Sequence, residues 1–258
     1  MQVHEVLRDA IDMHIHCGPD TGPRYGDSVD IATIAREAGM RGLVLKDHLT
    51  QTVHKAALTN ELVSGFECFG AGTMNLPNGG LSPRSAAYFA ALGAKVVWLP
   101  TMDSEYTWLK ADQGHYDAIY ATRYAYGIDY SHLTLLTGGM YEGKLRPEVK
   151  GIVDELAKAD IVMNSGHHSP QETIALMEYV KAIGFGRAVI THVNAFMDDF
   201  TPKVLDRLVE LGGVLEISNG VLVPLHGRED PKEVAGIIRQ VGAANVVLVS
   251  DGGQLENP

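Results

Sequence analysis

The fold class this chain predicts is α/β, a (β/α)8 TIM barrel, and three observations predict it. Eight short apolar runs alternate with helix-like segments along 258 residues. All but one of the intervals between successive run ends are roughly 25 to 33 residues, the length of a compact βα unit. The residues richest in chemistry fall at the ends of the apolar runs, where a barrel of this kind carries its active site.

Taken in order, the predicted strands are 10–16, 42–47, 66–74, 95–100, 160–167, 187–192, 213–218 and 245–250. Helices are expected over 28–39, 52–63, 82–92, 147–159, 169–183, 201–211 and 231–240. Ser82-Pro83, Ser169-Pro170, Thr201-Pro202 and Asp230-Pro231 each put a capping residue before a first-turn proline. Gly39, Gly42, Gly93, Gly184 and Gly212 follow helical runs, where a left-handed cap is expected. The fourth connection, about 102–146, is far longer than an ordinary βα loop and holds Tyr106, Trp108, Tyr116, Tyr120, Tyr124, Tyr126, Tyr130 and Tyr141. It is expected either to cap the barrel mouth or to pack on the barrel or a second subunit. Only GGQLENP follows Asp251, too short for an eighth helix. The outward face of strand eight, with Val246, Leu248 and Ser250, then calls for further chain or for a neighbouring subunit. The expectation is one barrel domain over 1–258, in a homo-oligomer.

Composition limits the function. Hydrophobic content of 45% and charged content of 21% are those of a soluble globular protein. A formal net charge of -11 argues against nucleic acid or an anionic membrane as a partner, since both reward clustered Lys and Arg. The remaining partner class is a small molecule. Two cysteines outside any CxxC pair, and no apolar run of roughly 20 residues, point to a cytoplasmic protein.

The first strand ends in Asp12-Met13-His14-Ile15-His16. Side chains two apart on a strand share a face, so His14 and His16 offer two imidazoles to one metal ion. His167, His192 and Asp251 stand at the ends of strands five, six and eight. Four histidines and a carboxylate over four strand ends suit a divalent cation, Zn²⁺ above others, bound as one ion or two. Alternation favours His167 over its neighbour His168 and turns Cys17 away from the site.

Lys46 and His48 share a face at the end of strand two, where Lys46 is expected to meet a substrate carboxylate or, if carbamylated, to bridge two metals. Asp47, between them, is read as structural. Asn75 and Thr101, at the ends of strands three and four, are candidates for substrate hydrogen bonds. Asn194, Glu216 and Asn219 are read as supporting residues. No glycine-rich phosphate loop is present, because Gly70-Ala71-Gly72 lies within a strand.

The ordered set His14-x-His16, His167, His192 and Asp251 resembles the amidohydrolase superfamily in both order and strand placement. The Lys46–His48, Asn75, Trp98–Thr101 and Ser250–Gln254 elements are similar to those of its poorly characterised members. The resemblance implies a metal-activated water that cleaves a small amide, cyclic amide, lactone or ester. It also implies Asp251 as the proton shuttle and one of His167 and His192 as the group polarising the substrate carbonyl. One departure stands out: members with two metals often carry a bridging lysine or glutamate after strand four, and here Val97-Trp98-Leu99-Pro100-Thr101 has neither. Three alternatives remain. One is a phosphoesterase of the polymerase-and-histidinol-phosphatase type, which shares His-x-His and an Asp-His pair like Asp47-His48. The others are a metal-dependent decarboxylase and a non-catalytic metal- or ligand-binding barrel.

Overall fold

The computed structural model describes residues 3–20, 22–112, 132–196, 198–222, 230–255 and 257–258. Its strands are β1 (Ile11–His16), β2 (Gly42–Lys46), β3 (Glu67–Phe69 and Ala71–Thr73, interrupted at Gly70), β4 (Val96–Trp98), β5 (Val162–Asn164), β6 (Ala188–Ile190), β7 (Val214–Ser218) and β8 (Val246–Val249). Every paired strand is parallel to its neighbour. The first half of β3 pairs with β2 and the second half with β4, so the interruption links two runs of ladder. The ring closes where β8 runs on beside β1: Asp251 N donates to His14 O, His16 N donates to Gly252 O, and Ser250 N donates to the Asp12 carboxylate.

Helices α1 (Val3–Leu7), α2 (Ser28–Glu37), α3 (Val53–Leu62), α4 (Pro83–Leu92), α5 (Glu105–Asp112), α6 (Pro147–Lys158), α7 (Pro170–Ala182), α8 (Pro202–Glu210) and α9 (Pro231–Val241) accompany the strands. The four serine, threonine or aspartate–proline signals each open a helix as expected. Ser82, Ser169 and Asp230 cap theirs with a side-chain oxygen, and Ser169 with Glu172 forms a reciprocal capping box. Gly39, Gly93, Gly184 and Gly212 have positive φ, as their expected capping positions require. Gly42 is a correction: it is the first residue of β2. A Cβ there would lie 2.5 Å from the Glu67 carbonyl oxygen, so a close strand approach, not a helix cap, demands glycine.

Apolar faces explain the two outer layers. Leu43 and Leu45 of β2 and Ile15 of β1 pack under Ile31, Ala32 and Ala35 of α2 and Ala56 of α3. A larger cluster joins the other strands to α4 and α6 through α9, with Val97, Met163, Ile190 and Leu215 among its buried members. Each such side chain, fully buried, contributes about 1.5–3 kcal/mol. Val44, Ala71, Val96 and Trp98 form a separate cluster, joined by Met13, Phe69 and Val162. Leu248 of β8 is 64% exposed, consistent with the outward face expected for it.

The long fourth connection begins with α5, a helix not among those expected from the sequence. Its described ends are pinned together, since Leu133 N donates to Asp103 O and Glu105 N to Leu133 O. Tyr106 and Trp108 are buried and Tyr141 is exposed. Tyr116, Tyr120, Tyr124, Tyr126 and Tyr130 lie outside the described residues. Among the described residues no helix is long and apolar enough to cross a membrane.

Candidate metal centre

The centre is assembled first by β1. Its pairing with β2 shifts register between Asp12 and Ile15, so that Asp12 faces Leu43, Ile15 faces Leu45 and His16 faces Lys46. The extra residue is a bulge of the kind found beside active sites. Beyond it Ile15 and Cys17 join the apolar layer under α2, while His14 and His16 turn the other way, fully buried. Their Nε2 atoms both lie 3.3 Å from Asp251 Oδ1. His192 stacks on His14 at 4.7 Å between ring centroids and points Nε2 at Asp251 Oδ2, 3.9 Å away. His192 and Asp251 both adopt left-handed backbone, at φ 44° and 51°. That conformation costs a non-glycine residue roughly 1–2 kcal/mol, and such strain gathers at functional sites.

Carboxylates stand behind these imidazoles. Glu216 Oε1 lies 3.1 Å from His14 Nδ1 and 3.0 Å from His192 Nδ1, and Asn164 Nδ2 donates to Oε2 at 2.9 Å. Asp20 Oδ2 lies 3.3 Å from His16 Nδ1 and is clasped by Arg24 through Nε at 3.0 Å and Nη2 at 2.5 Å. The His14 contact is an aligned hydrogen bond, whereas those of His16 and His192 are close ionic contacts lying off the hydrogen-bonding line. Burial, aided by Lys46, pushes the His14 pKa down to about 3, so its ring is neutral. Burial works against the Glu216 and Asp251 carboxylates, but hydrogen bonding from the imidazoles they face outweighs that and holds both acids below the usual range. For Asp20, burial is likewise outweighed, by hydrogen bonding from His16 and the Arg24 guanidinium.

A divalent cation fits this donor set. With its Nδ1 proton given to Glu216, His14 turns an Nε2 lone pair toward an anionic oxygen 3.3 Å away. Two acceptors so placed repel unless positive charge lies beside them; the Lys46 ammonium, 2.8 Å from His14 Nε2, supplies part of it, and a cation bound between them would supply more. Two donors each about 2.1 Å from a tetrahedral zinc stand roughly 3.4 Å apart, which matches. A carboxylate behind a ligating histidine fixes its tautomer and raises its basicity. The ligand atoms of His14, His16 and Asp251 therefore lie close enough together to hold one metal ion; His14, His192 and Glu216 cluster as closely, but there Glu216 already takes the His14 Nδ1 proton.

Lys46 is fully buried, with Nζ 2.8 Å from His14 Nε2 and 5.3 Å from the centre of the Trp98 ring. Burial lowers its pKa to about 8 against the pull of Asp251 and Glu216. Trp98 stands on β4 beside His14, with ring centroids 5.2 Å apart.

The opposite side of the mouth is built from neutral groups. His48 Nδ1 lies 3.2 Å from Thr101 Oγ1, and Asn75 Nδ2 donates to the same oxygen at 2.9 Å. Asn75 also donates to His48 O and accepts from the backbone N–H groups of Thr101 and Asp103. Its amide therefore ties the ends of β2, β3 and β4 together. His167 Nδ1 lies 3.2 Å from Thr107 Oγ1 of α5, and its ring is 5.3 Å from that of His192. Burial keeps His48 and His167 neutral. His168 turns instead to Glu172 at the start of α7. Asp47 braces the turn after β2, accepting from Leu49 N, Thr50 N and Lys55 Nζ. Asn194 pairs with the Ser218 backbone, and Asn219 opens a short 3-10 turn.

Asp20 and Arg24 escaped sequence reading. They sit in an irregular loop, where a carboxylate and a guanidinium have no periodicity to mark them, and only the folded loop brings them behind His16.

A family model described as "Family of unknown function (DUF6282)" matches residues 9–216. No curated protein matches the sequence at a significant level. Among solved structures, an amidohydrolase from Pseudomonas aeruginosa is similar with a TM-score of 0.56 at 12% identity, covering 97% of this chain and 77% of that one. An organophosphorus hydrolase from Deinococcus radiodurans is similar with a TM-score of 0.52 at 10% identity, covering 94% of this chain and 75% of that one. At such identities the likeness is one of fold.

Proposed function

The chain belongs to the DUF6282 family of unknown function, and we propose that it is a metal-dependent hydrolase of the amidohydrolase type. It would cleave a small amide, cyclic amide, lactone or ester. One observation carries this reading: the Nε2 atoms of His14 and His16 and a carboxylate oxygen of Asp251 converge, with acids behind the rings. The two hydrolases named above, which share the fold, add support from outside the chain.

In this reading His14, His16 and Asp251 would hold the ion, zinc by the chemistry of the donors. His192 completes the set, because its ring is backed by a carboxylate, while that of His167 is backed by a hydroxyl. Such an ion supplies Lewis acidity and makes water a competent nucleophile at neutral pH. Asp251 takes the proton of the attacking water and returns it to the leaving group. His167 faces the substrate carbonyl. His48, held by Thr101, orients the substrate, and Lys46 brings positive charge to an anionic one. Asn75 serves by holding Thr101, since its own hydrogen bonds are spent on the strand ends. The two free, buried thiols support a reducing, cytoplasmic setting.

The test is a metal analysis of the purified chain with a screen of amides, lactones and phosphate esters, run with the chelated and the zinc-restored protein. Hydrolysis of a carboxylic ester or amide that follows zinc content is the expected result. Turnover indifferent to chelation, or confined to phosphate esters, would end this reading.

A further inference from the structure

The loop between β1 and α2 carries an arrangement that reaches past the single contact of Asp20 with His16. The Asp20 side chain is fully buried, and that of Arg24 is 9% exposed. Arg24 spends Nε and Nη2 on one oxygen, Asp20 Oδ2, the same atom that faces His16 Nδ1. The backbone of this loop is bound to the segment that follows Asp251. Arg24 bridges to Gln254, Tyr25 N donates to Gly253 O, and His16 N donates to Gly252 O. Gly253 packs so closely that a Cβ on it would lie 1.8 Å from the His16 carbonyl oxygen, and its φ is +78°. Two ligands more than two hundred residues apart in sequence, His16 and Asp251, are thus held by one knot of chain.

We propose that Asp20 and Arg24 are positioning residues: Asp20 aims the His16 ring at the metal point, and Arg24 locks Asp20 while its backbone anchors the Asp251 segment. The pair touches neither substrate nor ion. Its effect is on how well His16 and Asp251 are organised before the ion arrives, and so on affinity. His16, Asp20 and His48 also come close enough to hold a cation themselves. The guanidinium already seated on Asp20 Oδ2 opposes that, because a second cation on the same oxygen would meet its charge at short range.

This inference rests on the metal-centre reading, and the experiment separates the two. Zinc affinity is measured by competition with a chromophoric chelator, and cobalt(II) is used as a spectroscopic probe of the ligand field. The chains compared are wild type, Asp20→Asn, and the double variant Asp20→Asn/Arg24→Gln, which leaves no unpaired buried charge. The expected result is an unchanged number of ions per chain, an affinity lower by about 10–100-fold, and an altered cobalt spectrum in both variants. Melting of the metal-free chains checks that a loss of affinity does not follow from a loss of fold. Wild-type affinity and spectrum in the folded variants would overturn the clamp and leave the metal reading standing. Loss of one of two ions would make Asp20 a ligand and also overturn it. A wild-type chain that binds no divalent metal would overturn both.

Discussion

The two sides of the barrel mouth differ in what backs their histidines. On the side formed by β1, β6, β7 and β8, carboxylates stand behind His14, His16 and His192. On the side formed by β2 through β5, hydroxyls stand behind His48 and His167, and an amide clasp ties the strand ends. A carboxylate makes an imidazole a better donor to a cation, whereas a hydroxyl orients it without adding charge. The first side is suited to holding an ion and the second to holding a neutral or anionic molecule beside it. Side chains of one type are thus set in different surroundings by the group behind them.

The harshest break of this division is Asp251→Asn, which keeps the shape and removes the base. Turnover should fall by about 10² or more, the usual scale for a lost general base. Turnover of the folded variant at the wild-type rate would remove Asp251 from proton transfer.

Next in size is Glu216→Gln on the charged side. Weakening a buried hydrogen bond to a charged group costs about 1.5–3 kcal/mol, and zinc affinity should fall by about 10-fold or more. Because the Glu216 carboxyl is held below its ordinary value, its contribution is complete above the unfolded-state pKa of about 4.3 and is lost as the pH falls through the lower folded value. Urea unfolding should therefore show a large gap between the two proteins at pH 7 that narrows in acid. A gap that widens in acid would mean that Glu216 is protonated in the fold.

The neutral side should respond differently. Thr101→Val removes the hydroxyl that His48 and Asn75 share, and KM should rise by roughly 10-fold, about 1.4 kcal/mol, with zinc affinity unchanged. A drop in zinc content would merge the two sides into one. Lys46→Met, on the boundary, should raise KM for anionic substrates more than for neutral ones. Equal effects on both would remove the lysine from substrate recognition, and the loss of an ion would instead favour a carbamylated bridge.

The smallest effect concerns the apolar layer just behind His16. Burial pushes the Cys17 thiol up to about 11 and the Cys68 thiol up to about 12, so both remain protonated at pH 8. Neither should react with a thiol reagent in the native protein, and both should react once it is unfolded. Rapid native labelling of Cys17 would show that the β1 end opens to solvent, against a rigid centre.

Read alone, the sequence determined the barrel and brought His14, His16, His167, His192 and Asp251 to its strand ends as candidates. Strand periodicity, proline-led helix starts and an almost even spacing are local properties, and local sterics and hydrophobic burial enforce them wherever the chain goes. His14-x-His16 was legible for the same reason, since its spacing is that of a strand face. Gly42 was misread because its need for glycine comes from the approach of Glu67, a residue that its neighbours in sequence say nothing about. Tertiary structure alone decided which acid stands behind which imidazole. Glu216 serves both His14 and His192 across the barrel, and Asp20 serves His16 only once its loop is folded against the segment after Asp251. Those pairings depend on ångström distances between strands far apart in sequence, and a linear pattern carries no information about such distances.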